Sequence, residues 1–361
     1  MTPKGPNDTQ TATGSSDFMW LDDAPKVAVF ENVDRHRFET AILPGQRPAI
    51  LKGAARHWPT VAEAAKGPDA LCDYFKARAN DRKVMLLSAK PEIEGRYSFS
   101  DDLRGFNHQQ RQLPFATIAD LLLRDSEDDT APCHYAGGVP VQQVMPDVAA
   151  ENTLDLMPED RPRMISLWIG NRTRTAAHWD LPQNLACVVA GRRRFTLFPI
   201  DQIENLYITP LDLTLAGQPT SLVDFHAPDF AQFPKFRDAM RHAEVADLAP
   251  GDVLYVPSLY FHHVESLDSF GAMINFWWRE GPNYLARTTP LTTLMHGLMT
   301  LRDLPREERL RWRTLFDHYL FEPDPSVAHI PPHARGLFGA MTPEIERQLR
   351  AYVMQTLTDK R

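Results

Sequence analysis

The sequence predicts a mainly β core set between helical additions. Three observations point that way. From Met164 to Trp278, short apolar runs alternate with turn signals, the punctuation of successive β-strands. Upstream of that stretch, segments of helical periodicity alternate with isolated strand-like runs. Beyond Gly281-Pro282 the composition turns helical to the end of the chain.

Taken in order, residues 1–19 are polar, lack the apolar run of a signal peptide and read as a disordered tail. Residues 20–162 form an α/β lead-in and support. In it, 38–43 reads as a short helix or turn closed by Pro44-Gly45, and 47–53 as a buried strand stopped by glycine. Residues 60–66 and 68–79 have helical spacing, and 82–88 has strand composition. An amphipathic helix is expected over 114–124, with Phe115, Ile118, Leu121 and Leu122 along one side. The acidic run 125–129 reads as a solvated loop, 133–135 as a strand, and 140–162 as a long connection. The core spans 163–282, with strands expected at 164–170, 175–180, 184–190, 193–198, 244–248, 253–256, 261–266 and 272–278. An insertion at 201–241 carries a short helix near 233–241. Residues 283–361 form a helical region, with helices expected at 284–301, 306–320 and 343–358.

Composition narrows the class. The 361 residues are 43% hydrophobic, enough to bury a sizeable core. A formal charge of −8 sets the chain as a whole against a polyanionic partner, so nucleic acid is disfavoured. The three cysteines, Cys72, Cys133 and Cys187, are scattered and odd in number, which fits a reducing cytoplasm rather than a disulfide framework. No apolar run reaches the length of a membrane span.

The chemistry concentrates between Thr175 and Pro199. His178 and Asp180 are two apart, so on a strand both side chains leave one face. An imidazole beside a carboxylate supplies two of the three ligands of a facial triad, which leaves positions open on a non-haem Fe(II). A lone His-x-Asp is weak evidence, since roughly one match is expected by chance among thirteen histidines. The rival His242-Ala243-Glu244 sits at a helix-to-strand junction with no second half-motif and reads as structural. The third ligand is expected from His262-His263. Alternation groups His262 with Val264 and Ser266, and His263 with Glu265. The second set reads as the more exposed face, so His262 is the inward candidate. Periodicity alone leaves a hydrogen-bonded core histidine as the competing account. Arg193 shares a strand face with Phe195 and Leu197, while Arg192 and Arg194 alternate outward. A guanidinium on an apolar face calls for an anion; the competing account is a solvated basic patch. Asn275 and Trp277 share a face of the last strand.

Several ordered motifs resemble one family. GDVLYVPSLYFHHVESL (251–267), NFWW (275–278), TAAHWD (175–180) and AGRRRFTLFP (190–199) are similar to the JmjC/cupin-like hydroxylases. That group includes the asparaginyl hydroxylase acting on hypoxia-inducible factor and its bacterial cupin-like homologues. VDFHAPDFAQFPKF (223–236) and RPAILKGAARHWP (47–59) extend the resemblance over about residues 30–285. It implies a double-stranded β-helix holding Fe(II), with 2-oxoglutarate as cosubstrate. On this resemblance His178, Asp180 and His262 are the metal ligands. Thr175 and Tyr135 match positions that bind the far carboxylate of 2-oxoglutarate. Asn184 and Asn275 match polar positions lining the same pocket, and Trp277 an aromatic wall beside it. The family's cosubstrate lysine falls at Arg193, a departure that implies a pocket of different depth. Tyr260-Phe261 stands where tryptophans are usual. The resemblance also implies a homodimer through the C-terminal helices.

The expected function is therefore a 2-oxoglutarate-dependent dioxygenase that hydroxylates a protein side chain or a small molecule and releases succinate and CO2. Two other classes stay open. One is a non-catalytic JmjC-like interaction protein, against which the complete triad weighs. The other is a hydroxylase of a modified RNA nucleoside, against which the acidic charge weighs.

Overall fold

The computed structural model describes residues 20–358 except 101, 158–160, 162, 213, 215–216 and 282–289. The expected tail at 1–19 and the first turns of the helix expected from 284 lie outside the described residues. The chain divides into two compact units, with the break between Arg279 and Glu280.

The first unit is built on two sheets. The larger has nine strands, in the order Ala28–Glu31, Ala49–Lys52, Val253–Val256, Gln183–Ala190, Gly271–Trp278, Arg163–Gly170, Cys133–Pro140, Lys83–Ala89 and Gln109–Pro114. The smaller has five, Glu244–Leu248, Arg193–Phe198, Phe261–Ser266, Arg174–His178 and Arg96–Tyr97. From Arg163 to Trp278 the chain passes repeatedly from one sheet to the other, so strands distant in sequence become antiparallel neighbours. This is the double-stranded β-helix, a jelly roll with helical additions.

Burial follows from the layers. Ala186, Val188, Phe195, Leu197, Leu254, Val264 and Met273, drawn from both sheets, form the barrel interior. Leu185, Cys187 and Val189 point the other way, into an outer layer with Phe75, Phe115, Ile118 and Leu122. The Gln183–Ala190 strand is thus covered on both faces, which is why Leu185–Ala190 shows no polar alternation. The helix Phe115–Asp125 buries Phe115, Ile118, Ala119 and Leu122 at helical spacing against this layer.

Away from the site, the structure departs from expectation at three places. The Gln109–Pro114 strand gave no apolar signal, because it is an edge strand with exposed side chains. The acidic run at 125–129 is not wholly solvated. Asp125 is buried, where it pairs with Arg124 at 2.6 Å and His134 Nε2 at 2.8 Å. Those two partners hold its carboxyl below the usual range against the opposing effect of burial, the Arg124 hydrogen bond contributing most. The connection after 140 contains two short helices, Val141–Val144 and Pro146–Glu151.

The insertion lies against the outside of the smaller sheet. Its short helix, Phe236–Met240, and Phe225 are packed so that Phe225 stacks on His263 with ring centroids 4.6 Å apart. In the second unit the helices Pro290–Leu301, Arg306–Phe316 and Pro343–Thr358 leave Leu294, Leu298, Leu315, Phe316, Val353 and Leu357 exposed.

The turn from Gln183–Ala190 into Arg193–Phe198 depends on Gly191. Its φ is +67°, and a Cβ there would stand 2.4 Å from the Phe270 carbonyl oxygen. Gly191→Ala is expected to destabilise the protein by about 2 kcal/mol or more. Urea unfolding checks this, and an unchanged midpoint would show that the hairpin relaxes freely.

Candidate active site

His178 is the last residue of Arg174–His178, and Asp180 lies two residues on, past the strand end. The expectation that one strand presents both is therefore corrected. The loop returns Asp180 to the site, and its carbonyl accepts the Leu259 N–H at 2.8 Å. Across the ladder His178 faces His262, while Thr175 faces Val264, with a shift of register between. That one-residue bulge turns both Thr175 and His178, three apart, toward the barrel.

The imidazoles of His178 and His262 are 4.3 Å apart by ring centroids, and His262 Nε2 is 3.5 Å from Asp180 Oδ2. One donor atom from each of the three residues lies within 4.8 Å of the others. The donor set suits a borderline metal. His178 Nδ1 lies 2.9 Å from the Ala176 carbonyl and His262 Nδ1 3.0 Å from that of Tyr260. With Nδ1–H donating in each ring, both Nε2 lone pairs are free for a cation. Burial, then the neighbouring His262, pushes the His178 pKa down to about 4, so that its ring is neutral. Burial works against the Asp180 carboxylate, but the neighbouring His262 and His178 together outweigh it and lower the pKa.

His263 does not lie on an exposed face. Glu265 beside it is buried too, because the insertion covers that side of the sheet. Burial pushes the His263 pKa down to about 4.

Arg193 is inside the barrel and 1% exposed. Its Nη2 lies 3.5 Å from the Trp168 carbonyl, its Nε has no hydrogen-bond partner, and it meets no carboxylate among the described residues. The other two arginines behave differently. Arg192 pairs with Asp268 at 2.7 Å, and Arg194 with Asp247 at 2.6 Å and Asp22 at 3.0 Å, all on the outside. Tyr135 lies beside Thr175 and near Arg193, and burial raises its pKa. Asn275 Nδ2 donates to Asn184 Oδ1 at 3.2 Å. Asn275 Oδ1 in turn accepts from Trp168 Nε1 at 2.8 Å. Trp277 packs edge-on to Trp168 at 5.7 Å. Trp168 was missed from the sequence, although alternation signals it: Leu167 and Ile169 belong to the outer layer, so Trp168 faces the barrel.

Residues 35–284 match the family described as the cupin-like domain. The chain belongs to the JmjC/cupin-like family. The relatives differ widely in what they are named for. A lysine-specific demethylase of Arabidopsis thaliana is 25% identical over 73% of this chain and 51% of its own length. The tRNA wybutosine-synthesizing protein 5 of Danio rerio is 25% identical over 79% of this chain and 88% of its own. The human bifunctional peptidase and (3S)-lysyl hydroxylase is 26% identical over 67% and 80%. The chain thus spans about half the length of the Arabidopsis relative. JmjC/cupin-like proteins are for the most part Fe(II)- and 2-oxoglutarate-dependent oxygenases.

The neutral imidazoles set a pH dependence. His178 and His263 ionise near pH 4 when folded, against about 6.5 in an unfolded chain. On acidification the unfolded state takes up these protons first, so stability falls from about pH 6.5 toward pH 4. Urea midpoints measured in chelator should therefore drop between pH 7.5 and pH 5. A flat profile would mean that the rings are not held neutral.

Proposed function

We propose that this JmjC/cupin-like protein is an Fe(II)- and 2-oxoglutarate-dependent hydroxylase of a protein side chain or a small molecule, releasing succinate and CO2. The observation that carries the reading is Arg193, a buried cation that meets no anion among the described residues, in the same barrel as a His2Asp donor set. An uncompensated buried charge costs several kcal/mol, and a dicarboxylate cosubstrate would supply its partner.

His178, Asp180 and His262 would hold the iron, which when bound supplies oxygen activation coupled to 2-oxoglutarate decarboxylation. Arg193 grips the far carboxylate, with the Thr175 and Tyr135 hydroxyls beside it completing the hydrogen bonds. Asn184, Asn275 and Trp168 form a bonded row that keeps the neighbouring wall rigid, and Trp277 closes it with an aromatic face. The barrel around them is apolar and excludes water. A reducing, cytoplasmic compartment accords with three buried, unpaired thiols. Among the described residues no helix is long and apolar enough to cross a membrane.

One observation favours a second reading. The wybutosine-synthesizing relative matches along 88% of its length, so a modified nucleoside in RNA is the alternative substrate. Salt-sensitive binding of tRNA would select it, against the −8 charge of the chain. A non-catalytic interaction role is the other alternative, and metal-dependent succinate formation separates it from both.

Arg193→Ala should raise the KM for 2-oxoglutarate by roughly 10- to 100-fold in a succinate assay, matching a charge-assisted bond of about 1.5–3 kcal/mol. Arg194→Ala should change it little, because that side chain is bonded to Asp247 and Asp22 outside the barrel. Arg193→Lys should keep partial activity. An unaltered KM in Arg193→Ala would assign the carboxylate to another group.

The exposed apolar residues of the C-terminal helices support a homodimer as the assembled form. Sedimentation at micromolar concentration should give a dimer, and truncation near Gly281 a monomer. An active full-length monomer would defeat the assignment.

A further inference from the structure

The outer side of the smaller sheet carries a second group of ligating side chains. His263 and Glu265 leave the Phe261–Ser266 strand on the face opposite His262. The insertion brings His226 over them, and one donor atom from each of the three lies within 4.8 Å of the others. His263 is 5% exposed and Glu265 4%. His226 and Glu265 are bonded, Nε2 to Oε2, at 2.5 Å. His263 is the anomaly. It is packed against Phe225, and neither of its ring nitrogens has a hydrogen-bond partner among the described residues. A buried polar group left unbonded costs about 1–3 kcal/mol, and a cation would relieve it.

We propose that His226, His263 and Glu265 form a second metal site, for a borderline divalent cation of the Zn2+ class, separate from the His178, Asp180 and His262 set. Two imidazoles and one carboxylate suit zinc; calcium and magnesium prefer all-oxygen shells. Three protein ligands leave a fourth position for water. Entry is available at His226, whose side chain is 23% exposed.

The metal-free arrangement shows what must change on binding. Arg174 Nη1 donates to His226 Nδ1 at 2.6 Å, so the ring proton sits on Nε2 and is shared with Glu265. The cation takes the place of that proton at Nε2. The proton moves to Nδ1, which then no longer accepts from Arg174. The imidazole shifts rather than the guanidinium, which the Glu94 carbonyl at 2.9 Å and carboxylate at 3.1 Å hold in place. Asp224 accepts the His226 backbone N–H at 2.9 Å and faces Arg96 at 3.5 Å, which anchors the segment that carries His226. A bound cation would tie the insertion to the strand that carries His262.

The test is zinc stoichiometry by equilibrium dialysis and elemental analysis of the full chain. In His178→Ala/Asp180→Ala, which removes the inner set, about one equivalent of Zn2+ should remain bound. Adding His226→Asn should abolish it with the circular dichroism spectrum unchanged; if that variant does not fold, Glu265→Gln is measured in its place. No bound zinc in the double variant, or an equivalent that survives the third substitution, would overturn the proposal.

Discussion

The site depends on one irregularity in one ladder. In a regular pairing of Arg174–His178 with Phe261–Ser266, Thr175 and His178 would point to opposite faces, because three is an odd number of residues along a strand. The bulge between the His262 and Val264 pairings absorbs one residue, so both side chains enter the barrel. His178 then meets His262 across the ladder, and Thr175 meets Tyr135 from the other sheet. The insertion fastens this edge from outside, where Ser221 N–H donates to the Ala177 carbonyl at 2.7 Å.

Charge placement follows from the same geometry. The barrel interior is a low-dielectric space lined by aliphatic and aromatic side chains. Within it a cation at Arg193 and a carboxylate at Asp180 are kept apart rather than paired with each other. Each is therefore available to something brought in from outside. The outward arginines of the same cluster are neutralised by Asp268, Asp247 and Asp22, and this leaves Arg193 as the member whose charge is unspent.

Much of this was legible in the chain. The strands from Met164 to Trp278, the helix at Phe115–Asp125, the turn at Gly191 and the inward course of Arg193, Phe195 and Leu197 are local patterns of period and turn chemistry. Alternation also separated His262 from His263 correctly as to direction. It misjudged what lies on the far side, since exposure depends on what else in the chain arrives there. Asp125 was misread for the same reason: its partner His134 is nine residues away on a strand of the larger sheet. Gln109–Pro114 escaped because an edge strand need bury nothing.

The sequence by itself determined the types of group available and the side of each strand they leave, because both are set by covalent geometry and residue chemistry over two or three positions. It offered a His-x-Asp pair, a His-His pair and an arginine close by in the chain as candidates, and it determined membership in a family whose motifs run in order from Arg47 to Trp278. Only the tertiary structure decided which of those groups meet. The bulge that aligns Thr175 with His178, the loop that returns Asp180, and the placing of His226 over His263 and Glu265 each require segments far apart in the chain to pack together. No local pattern encodes such distances; they follow from how two sheets and an insertion close around one apolar core.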